Sequence, residues 1–394
     1  MTISSDRIVI VGAGPIGLAC ALAAASLHGT EIDVVERRPL TTNVLTAVFD
    51  NRVYALSPGS RALLQELNVW QRLDGKRIAP VRAMQVFGDA EAQQSGELGF
   101  SQAAPLAFIV EHTALMNALQ AAVVDQGERI RVIDNAEVAA IDFVKQGNSV
   151  EITLADQTMI DAGLLIAADG SASRVRSMVG IETEIKDYDS DGVVANFHAK
   201  RGHGGVARQW FSAQGVLAYL PLPGDQVSIV WSVSGKRAAE LAALDDAAFS
   251  AAVAAAGNHV LGELALKSSR ARITLRRVMA RQWVLPRLAL IGDAAHAIHP
   301  LAGQGANLGF ADVSVLYGVL RDRSPLSRPG DLAVLRQYER ARREDTLLMG
   351  EITDNLRALY LSDALLAKVA RRYGLNAINR LSATKTVFIA HAIK

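Results

Sequence analysis

The stretch Arg7-Ile-Val-Ile-Val-Gly12-Ala-Gly14-Pro15-Ile-Gly17 decides the fold. Its β-branched first half predicts a short strand that is buried on both faces, as parallel strands are. Gly12 would allow a tight turn, Gly14 would let the backbone approach a pyrophosphate, and Gly17 would let the next helix pack on the strand. The amides and dipole at the start of that helix would then attract the phosphates. The stretch therefore predicts a dinucleotide-binding unit.

A second predicted strand, Glu31–Glu36, supports this reading. Glu36 ends it, 24 residues beyond Gly12, which is close to the ~20 residues typical of a ribose-binding carboxylate. The pattern does not separate FAD from NAD, and a glycine turn without a ligand is the alternative. The glycines also interrupt Ile8–Leu27, an uncharged run that otherwise resembles a membrane span or a signal peptide. We expect a strand, a turn and a helix there instead.

Composition narrows the function classes. The 394 residues are 50% hydrophobic, enough for two joined domains, and 41 basic against 40 acidic side chains give no sign of nucleic-acid binding. The single cysteine, Cys20, excludes an internal disulfide and is expected to be a small buried residue rather than a reactive thiol. The sequence contains no CxxC motif and no cluster of cysteine and histidine that would indicate a metal site.

Two later motifs join a strand to a helix. Residues 164–176 form an apolar strand that breaks into Asp169-Gly170 and continues into a helix with basic residues. Residues 287–312 form a buried strand that delivers Gly292-Asp293 at its carboxyl end, where α/β sheets bind ligands. A loop with Pro300 and three glycines then opens another helix.

These motifs, in this order, resemble the flavoprotein monooxygenases of the p-hydroxybenzoate hydroxylase fold. His299–Asp312 is similar to the signature of their branch of FAD-dependent ubiquinone-biosynthesis hydroxylases, and so are Asp50–Ser57 and the region around Gly374–Leu381. The resemblance implies FAD as the cofactor, NAD(P)H as a co-substrate and molecular oxygen as the oxidant. It extends nearly from end to end of the chain.

The resemblance also assigns roles. Glu36 would serve the ADP half of FAD, Asp293 the ribityl chain, and the backbone of Gly303–Asn307 the isoalloxazine. Pro300 and Arg52 would be the catalytic candidates, as groups near the flavin rather than as an acid and a base, because the cofactor carries the hard chemistry. The residues assigned to the cofactor are Gly12, Gly14, Pro15, Gly17, Glu36, Arg37, Arg52, Asp169, Gly170, Gly292, Asp293, Pro300, Gly303, Gln304, Gly305, Ala306 and Asn307.

Two residue pairs have alternative readings. His296 and His299 have the spacing to chelate a metal on one helical face, but we expect them to turn the loop, because no third ligand is in view. Arg174 and Arg176 either attract an NADPH phosphate or are solvated residues of a helix.

The segment between the second and third motifs predicts a substrate domain. Val193–Ala199, Ala207–Phe211, Val216–Leu222 and Gln226–Ser232 read as consecutive antiparallel strands, and Arg272–Arg277 as a later one. Ala238–Ala256 reads as one helix. Aromatic residues in such strands are usually core residues, but two of them are candidates to line a substrate pocket. These are Tyr219 and Trp231.

We therefore expect an α/β protein with a Rossmann-like FAD-binding domain, an interleaved antiparallel substrate domain and carboxyl-terminal helices. The predicted FAD-binding domain comprises 1–74, 100–180 and 287–350, and the substrate domain 75–99 and 181–286. The helical tail, 351–394, has no acidic residue after position 363. A basic amphipathic tail either packs on its own domain or contacts a membrane surface or a ubiquinone-assembly partner.

The expected function is FAD-dependent hydroxylation of a hydrophobic phenol, most specifically a polyprenylated phenol in ubiquinone biosynthesis. Three alternatives remain: hydroxylation of a small soluble phenol, FAD-dependent oxidoreduction without hydroxylation, and a catalytically silent flavin-bound scaffold. The expected location is cytoplasmic, with peripheral attachment at the inner face of the membrane as an option through the tail.

Overall fold

The computed structural model describes residues 7–88, 97–101, 104–144, 149–212, 215–298 and 304–361. The strands are β1 (Ile8–Val11), β2 (Ile32–Val35), β3 (Val53–Leu56), β4 (Ala79–Val81), β5 (Ala83–Phe87), β6 (Glu97–Ser101), β7 (Ala107–Glu111), β8 (Ile130–Ile133), β9 (Val138–Val144), β10 (Ser149–Leu154), β11 (Met159–Ala162), β12 (Leu164–Ala167), β13 (Thr183–Ala199), β14 (Val206–Ser212), β15 (Gly215–Leu222), β16 (Gln226–Ser234), β17 (Leu264–Leu266), β18 (Ala271–Ala280), β19 (Val284–Leu285), β20 (Leu288–Leu290) and β21 (His296–Ala297). The α-helices are α1 (Pro15–Ala24), α2 (Pro58–Glu66), α3 (His112–Val124), α4 (Arg174–Met178), α5 (Gly235–Ala243), α6 (Asp246–Ala256), α7 (Gln304–Arg321) and α8 (Leu332–Leu361). The predictions for residues 299–303, which include His299, Pro300 and Gly303, and for the tail after residue 361 lie outside the described residues.

A six-stranded sheet in the order β19-β20-β12-β1-β2-β8 carries the nucleotide motifs. All its strands run parallel except β19. β1 is buried along its whole length, as its unbroken Ile-Val-Ile-Val sequence predicts. The carboxyl ends of β1, β12 and β20 meet at one edge of the sheet, which brings together Gly12, Asp169 and Asp293.

The second large sheet has the order β21-β18-β13-β16-β15-β14-β5-β6, with β17 also paired to β13. Its pairs are antiparallel, as predicted, except that β14 and β5 run parallel. The exception arises because β5 reaches the sheet from a distant upstream segment and no hairpin fixes its direction. β13 begins at Thr183, ten residues before the predicted start of this strand at Val193.

The helical region of the predicted substrate domain differs from the sequence prediction. Ala238–Ala256 was predicted as one helix, but α5 and α6 are separated at Leu244, whose backbone is extended. Asp245 then starts α6 by accepting a hydrogen bond from the amide of Ala248 at 2.7 Å. This is the side-chain capping that an aspartate supplies at a helix start.

Two cores correspond to the two large sheets. The first surrounds the six-stranded sheet with α1, α3, α7 and α8, and it contains Cys20, whose thiol pKa is raised to about 12 by burial. The second lies between the larger sheet and the pair α5 and α6. The α/β architecture with a second sheet was therefore predicted correctly. Among the described residues, no helix is long and apolar enough to cross a membrane.

Candidate cofactor and substrate site

The turn between β1 and α1 is built for glycine at two positions. Gly12 has a φ of +106°, and a Cβ atom there would lie 2.4 Å from the carbonyl oxygen of Ala168. A Cβ on Gly17 would lie 1.8 Å from the carbonyl oxygen of Gly12. Gly14 differs, because a Cβ there would meet nothing within 4 Å. The open space over Gly14 is therefore available to a ligand, as a phosphate cradle requires.

Glu36 is held beside this turn. Its Oε2 accepts a hydrogen bond from the amide of Ala13 at 2.8 Å, and its Oε1 accepts one from the amide of Arg38 at 3.1 Å. A carboxylate has about four acceptor positions, so capacity remains for a ribose hydroxyl. Glu36 and its neighbour Arg37 both line the main cavity.

Asp169 organises the second motif. Its Oδ2 accepts hydrogen bonds from the amides of Arg174 at 2.8 Å and Val175 at 3.2 Å, at the start of α4. Its Oδ1 is buried and has no hydrogen-bond partner among the described residues. Gly170 follows with a φ of +84° and open space around it. Asp169 and Gly170 both line the cavity, so this motif has an unused acceptor close to the nucleotide turn.

The two arginines of α4 have different environments. Arg176 is buried, and its guanidinium donates hydrogen bonds to the carbonyl oxygens of Ala294 at 2.7 Å and Ser171 at 2.9 Å. It therefore ties the second motif to the third and is neither a solvated residue nor free to bind an NADPH phosphate. Arg174 is half-exposed, forms an ion pair with Glu137 and lines the cavity.

The third motif places Asp293 at the end of β20. Asp293 is exposed to the cavity, and desolvation by the surrounding protein raises the pKa of its carboxyl group, although His296 and Arg52 act in the opposite direction. Gly292 precedes it with a φ of +56°. Hydrogen bonds from a bound polyol could reach this carboxyl group, which has free acceptor positions facing the cavity.

Asp312 of α7 holds this motif in place. It accepts hydrogen bonds from the amide of Gly292 at 2.9 Å, from Nε2 of His296 at 2.6 Å and from Nε of Arg342 at 2.8 Å. Burial raises the pKa of Asp312, but His296 and Arg342 outweigh it, so the pKa lies below its ordinary value. His296 is thus buried and hydrogen-bonded to Asp312, whereas His299 lies outside the described residues. The described residues contain no group of three potential metal ligands.

The start of α7 forms another wall. Gly305, Ala306 and Asn307 line the cavity, and Gln304 is the first residue of the helix. The Asn307 oxygen accepts from the amide of Ser57 at 2.9 Å and from the hydroxyl of Ser60 at 2.8 Å, and its amide group donates to the carbonyl oxygen of Ala55 at 2.8 Å. These bonds hold Asn307 against the segment Ala55–Ser57, so the wall beside the cavity includes the backbone of this helix start.

Sequence reasoning missed a hydrogen-bonded pair in the cavity wall. The hydroxyl of Tyr54 lies 2.8 Å from Nδ1 of His112. The guanidinium of Arg52, a predicted site residue that also lines the cavity, lies 5.4 Å from the centre of the Tyr54 ring. Burial raises the pKa of Tyr54 to about 12, and burial together with Arg52 lowers the pKa of His112 to about 4. Both groups are thus neutral near pH 7, and the hydrogen bond joins two uncharged side chains.

The large sheet turns one apolar face to the cavity. Neighbouring strands place Val194, Val230, Ala218, Gln209 and Val86 in one row across this face. All five line the cavity, and the Gln209 amide is the polar group of the row. The cavity therefore joins a polar region at the nucleotide motifs to an apolar region on the sheet.

The predicted pocket residues Tyr219 and Trp231 lie on the opposite face of this sheet. Both belong to the core against α5 and α6, and the Tyr219 hydroxyl donates to the carbonyl oxygen of Val253 at 2.6 Å. Successive residues of a strand face opposite sides, so their neighbours Ala218 and Val230 line the cavity instead. The prediction was wrong by one residue in each strand.

The cavity has a volume of about 1700 Å³. A single drug-sized ligand occupies a pocket of roughly 300–1,000 Å³. The space, the open cradle over Gly14 and the unpartnered Asp169 Oδ1 fit a dinucleotide together with a second ligand. These features define a dinucleotide-binding α/β protein with an apolar chamber beside the cofactor position.

Comparison with known proteins identifies the family. Residues 6–346 match the model of the FAD binding domain family, and the chain belongs to that family. The chain is 33% identical to the ubiquinone hydroxylase UbiL of Rhodospirillum rubrum, an alignment that covers 100% of the chain and 91% of the relative. It is 32% identical to the 3-demethoxyubiquinol 3-hydroxylase of Escherichia coli, over the whole of both chains. It is also 32% identical to the mitochondrial ubiquinone biosynthesis monooxygenase COQ6 of Mus musculus, over 98% of the chain and 90% of the relative.

Solved structures share the fold at lower identity. PqsL of Pseudomonas aeruginosa, described as a probable FAD-dependent monooxygenase, superposes with a TM-score of 0.73 at 19% identity, over 94% of this chain and 99% of PqsL. HpxO of Klebsiella pneumoniae, crystallised with FAD, gives a TM-score of 0.75 at 18% identity, over 98% of each chain. These likenesses support the predicted fold, and the family match supports FAD as the cofactor.

Proposed function

We propose that this protein is an FAD-dependent, NAD(P)H-consuming monooxygenase that hydroxylates the ring of a polyprenylated phenol in ubiquinone biosynthesis. The observation that carries the proposal is a continuous cavity, lined by described residues, that joins the nucleotide motifs to an apolar sheet face. The relatives named for ubiquinone hydroxylation or biosynthesis align over nearly the whole chain. Hydroxylation of a small soluble phenol is the alternative that the experiment below distinguishes.

Bound FAD would supply the redox chemistry: it takes two electrons from NAD(P)H and enables transfer of one atom of molecular oxygen to the ring. The protein would supply binding, orientation and exclusion of water. Gly14 would admit the pyrophosphate, Glu36 would bind the ribose, and Asp293 would receive the ribityl hydroxyls. Arg52 would lie near the pyrophosphate and the flavin.

The site residues outside the described part of the chain keep their proposed roles. Pro300 would lie beside the flavin ring, and Gly303 would contribute backbone to the same wall. No second nucleotide fingerprint occurs in the sequence, since the glycines at Gly202–Gly205 lack a strand-turn-helix context. NAD(P)H would therefore bind transiently in a groove. Reduction of the cofactor by NAD(P)H needs no protein nucleophile. The Tyr54–His112 pair is neutral, which is compatible with a chamber that excludes water.

A peripheral contact with the inner face of the membrane, or with a ubiquinone-assembly partner, would suit such a substrate. The basic tail after residue 361 would make this contact, because a basic amphipathic segment is attracted to anionic lipid. Removing the tail should weaken sedimentation with anionic vesicles without loss of bound FAD. Unchanged vesicle binding would argue against this part of the proposal.

The first test measures NADPH consumption by the FAD-loaded protein with and without a short-chain prenylphenol, and quantifies hydroxylated product and hydrogen peroxide together. We expect product in nearly one-to-one ratio with NADPH. Peroxide alone with every prenylphenol, accompanied by hydroxylation of a soluble phenol, would refute the ubiquinone assignment and support the alternative. A protein that oxidises NADPH but hydroxylates no phenol would refute the monooxygenase assignment.

A further inference from the structure

One edge of the apolar chamber reaches the surface between β18 and α8. Ile273 and Leu275 of β18 line the cavity there, and so do Leu348 and Met349 of α8. We propose that this groove, together with Gly192 of β13, is the path by which the isoprenoid tail of the substrate leaves the chamber. The inference rests on the proposed function and extends it to a second part of the substrate.

The groove is continuous with the chamber. Gly192 lies two residues before Val194 on β13, and thus on the same face of the sheet as the chamber row. In the register of the sheet Gly192 pairs with Ile273 of β18, so Ile273 also faces the chamber. A tail that starts over the chamber row can therefore pass over Gly192 to the edge of the sheet.

Gly192 opens a shallow trough in the wall. A Cβ atom there would meet the Cδ2 of Leu275 at 3.5 Å, an ordinary contact distance, so the glycine is not required by a steric clash. Its backbone has no positive φ to explain the choice of residue either. Glycine inside a strand weakens the strand and often marks a place where a ligand approaches closely. A branched side chain here would fill the trough.

The rim of the groove has accessible apolar side chains beside the exposed Thr274 and Arg276 of β18, which also line the cavity. Ile273 and Leu348 are each 50% exposed, although large hydrophobic side chains of this kind are usually buried. Both belong to the cavity lining, so their exposure occurs where the chamber opens. Exposed apolar groups at an opening favour an apolar ligand. A hydrocarbon tail needs no hydrogen-bond partner in this groove, whereas the backbone of a bound peptide would need several.

An ionic cluster fixes α8 beside the groove. Asp354 is buried and accepts hydrogen bonds from Nζ of Lys186 at 2.9 Å, from Nη1 of Arg277 at 2.9 Å and from the hydroxyl of Tyr188. Arg277 lies on β18 four residues after Ile273, and a Cβ on Gly350 would lie 3.3 Å from its guanidinium carbon. The helix is thus anchored about one turn after the two residues that line the groove, which sets the width of the opening.

The test measures binding without turnover. Isothermal titration calorimetry of the FAD-loaded protein, without NADPH, compares phenols that carry zero, one, two or three isoprene units. For the natural sequence we expect the dissociation constant to fall by about tenfold or more across the series, because each buried methylene contributes. In Gly192→Val and Leu348→Gln, we expect the three-unit phenol to bind about tenfold more weakly, with the tail-less phenol within twofold.

Matched controls separate the groove from general damage. Gly192→Ala adds only the Cβ, and Leu326→Gln changes a side chain that is 95% exposed between α7 and α8, so both should bind the whole series as the natural sequence does. Equal weakening for every phenol, or no weakening in either test variant, would overturn the proposed path. If Gly192→Val no longer retains FAD, the result for Leu348→Gln decides whether the proposed path is correct. This second variant should not disturb folding, because the Leu348 side chain is already half-exposed. If Leu348→Gln changes only self-association, seen by analytical ultracentrifugation, the groove is a contact between copies of the chain.

The two proposals can fail separately. Chain-length-dependent binding that the variants abolish, without hydroxylation of any phenol, would keep the tail path and refute the monooxygenase. Hydroxylation without any effect of chain length on binding would keep the monooxygenase and refute the path.

Discussion

Replacing Asp312 by asparagine tests whether one buried carboxylate holds the cofactor site together. Asp312 is 0% exposed and Arg342 6% exposed, and their Oδ1 and Nε atoms are 2.8 Å apart. The asparagine has the same shape, but its amide nitrogen must face a donor, either Arg342 or the amide of Gly292. Breaking a buried pair by removing one partner costs about 3–5 kcal/mol, because the remaining charge is left unpaired.

We therefore expect Asp312→Asn to lower the free energy of unfolding by about 3–5 kcal/mol, measured by urea denaturation. The variant should also release FAD at a lower urea concentration than the natural sequence does, because the same carboxylate positions Gly292 beside Asp293. Asp322→Asn is the matched control, since Asp322 pairs with Arg321 at the surface and should leave the urea midpoint unchanged. A loss under 1 kcal/mol with normal FAD retention would refute the argument that this cluster positions the motif.

The acid dependence follows from the same cluster. The folded pKa of Asp312 is depressed, so its contribution to stability is present above the unfolded value of about 3.9 and is lost as the pH falls through the folded value. Asp312→Asn should therefore lose less stability than the natural sequence as the pH falls below about 4.

Three further outcomes follow from the geometry. Gly14→Ala should fold normally but bind FAD about tenfold more weakly or worse, because its Cβ enters the open space over the turn. Gly17→Ala should fail to fold, because its Cβ would collide with the backbone of Gly12. Circular dichroism measures the folding of both variants, and FAD titration measures their cofactor affinity. Tyr219→Phe should cost about 1 kcal/mol of stability through the lost hydrogen bond to Val253, with an unchanged KM for the phenol; a raised KM would place Tyr219 in the pocket after all. The pKa of His112 is lowered to about 4 in the folded state, so below about pH 6.5 the folded state binds fewer protons than the unfolded state. The free energy of unfolding should therefore fall as the pH drops from about 6.5 to 4. His112→Gln should remove that part of the slope in urea titrations at several pH values, and an identical slope in both proteins would contradict the assignment.

The nucleotide side of the site could be predicted because its chemistry limits the residue choice. At Gly12 and Gly17 any side chain would collide with backbone atoms, so glycine is required at both positions. The spacing of the glycines therefore predicts the geometry of the turn between β1 and α1. Asp169 and Asp293 could be placed because the carboxyl ends of parallel strands meet at one edge.

The substrate side could not be predicted in the same way. β15 is buried on both faces, so its sequence Gly-Val-Leu-Ala-Tyr-Leu-Pro-Leu shows no alternation that would assign a face. Tyr219 was therefore expected on the wrong side. The Tyr54–His112 pair joins residues 58 positions apart, and nothing in either local sequence signals that they meet.

The strand order of the six-stranded sheet has a consequence for biosynthesis. β1 pairs on one side with β2, close in the chain, but on the other with β12, which begins only at Leu164, and β12 in turn awaits β20 at Leu288. A ribosome that adds about 5–20 residues per second makes β12 roughly 8–30 seconds after β1. Throughout that time the apolar strand that carries the glycine turn has an unpaired edge, which makes it a substrate for chaperones. Arg342 emerges later still, and only then can the ion pair form that holds Asp312 beside Gly292.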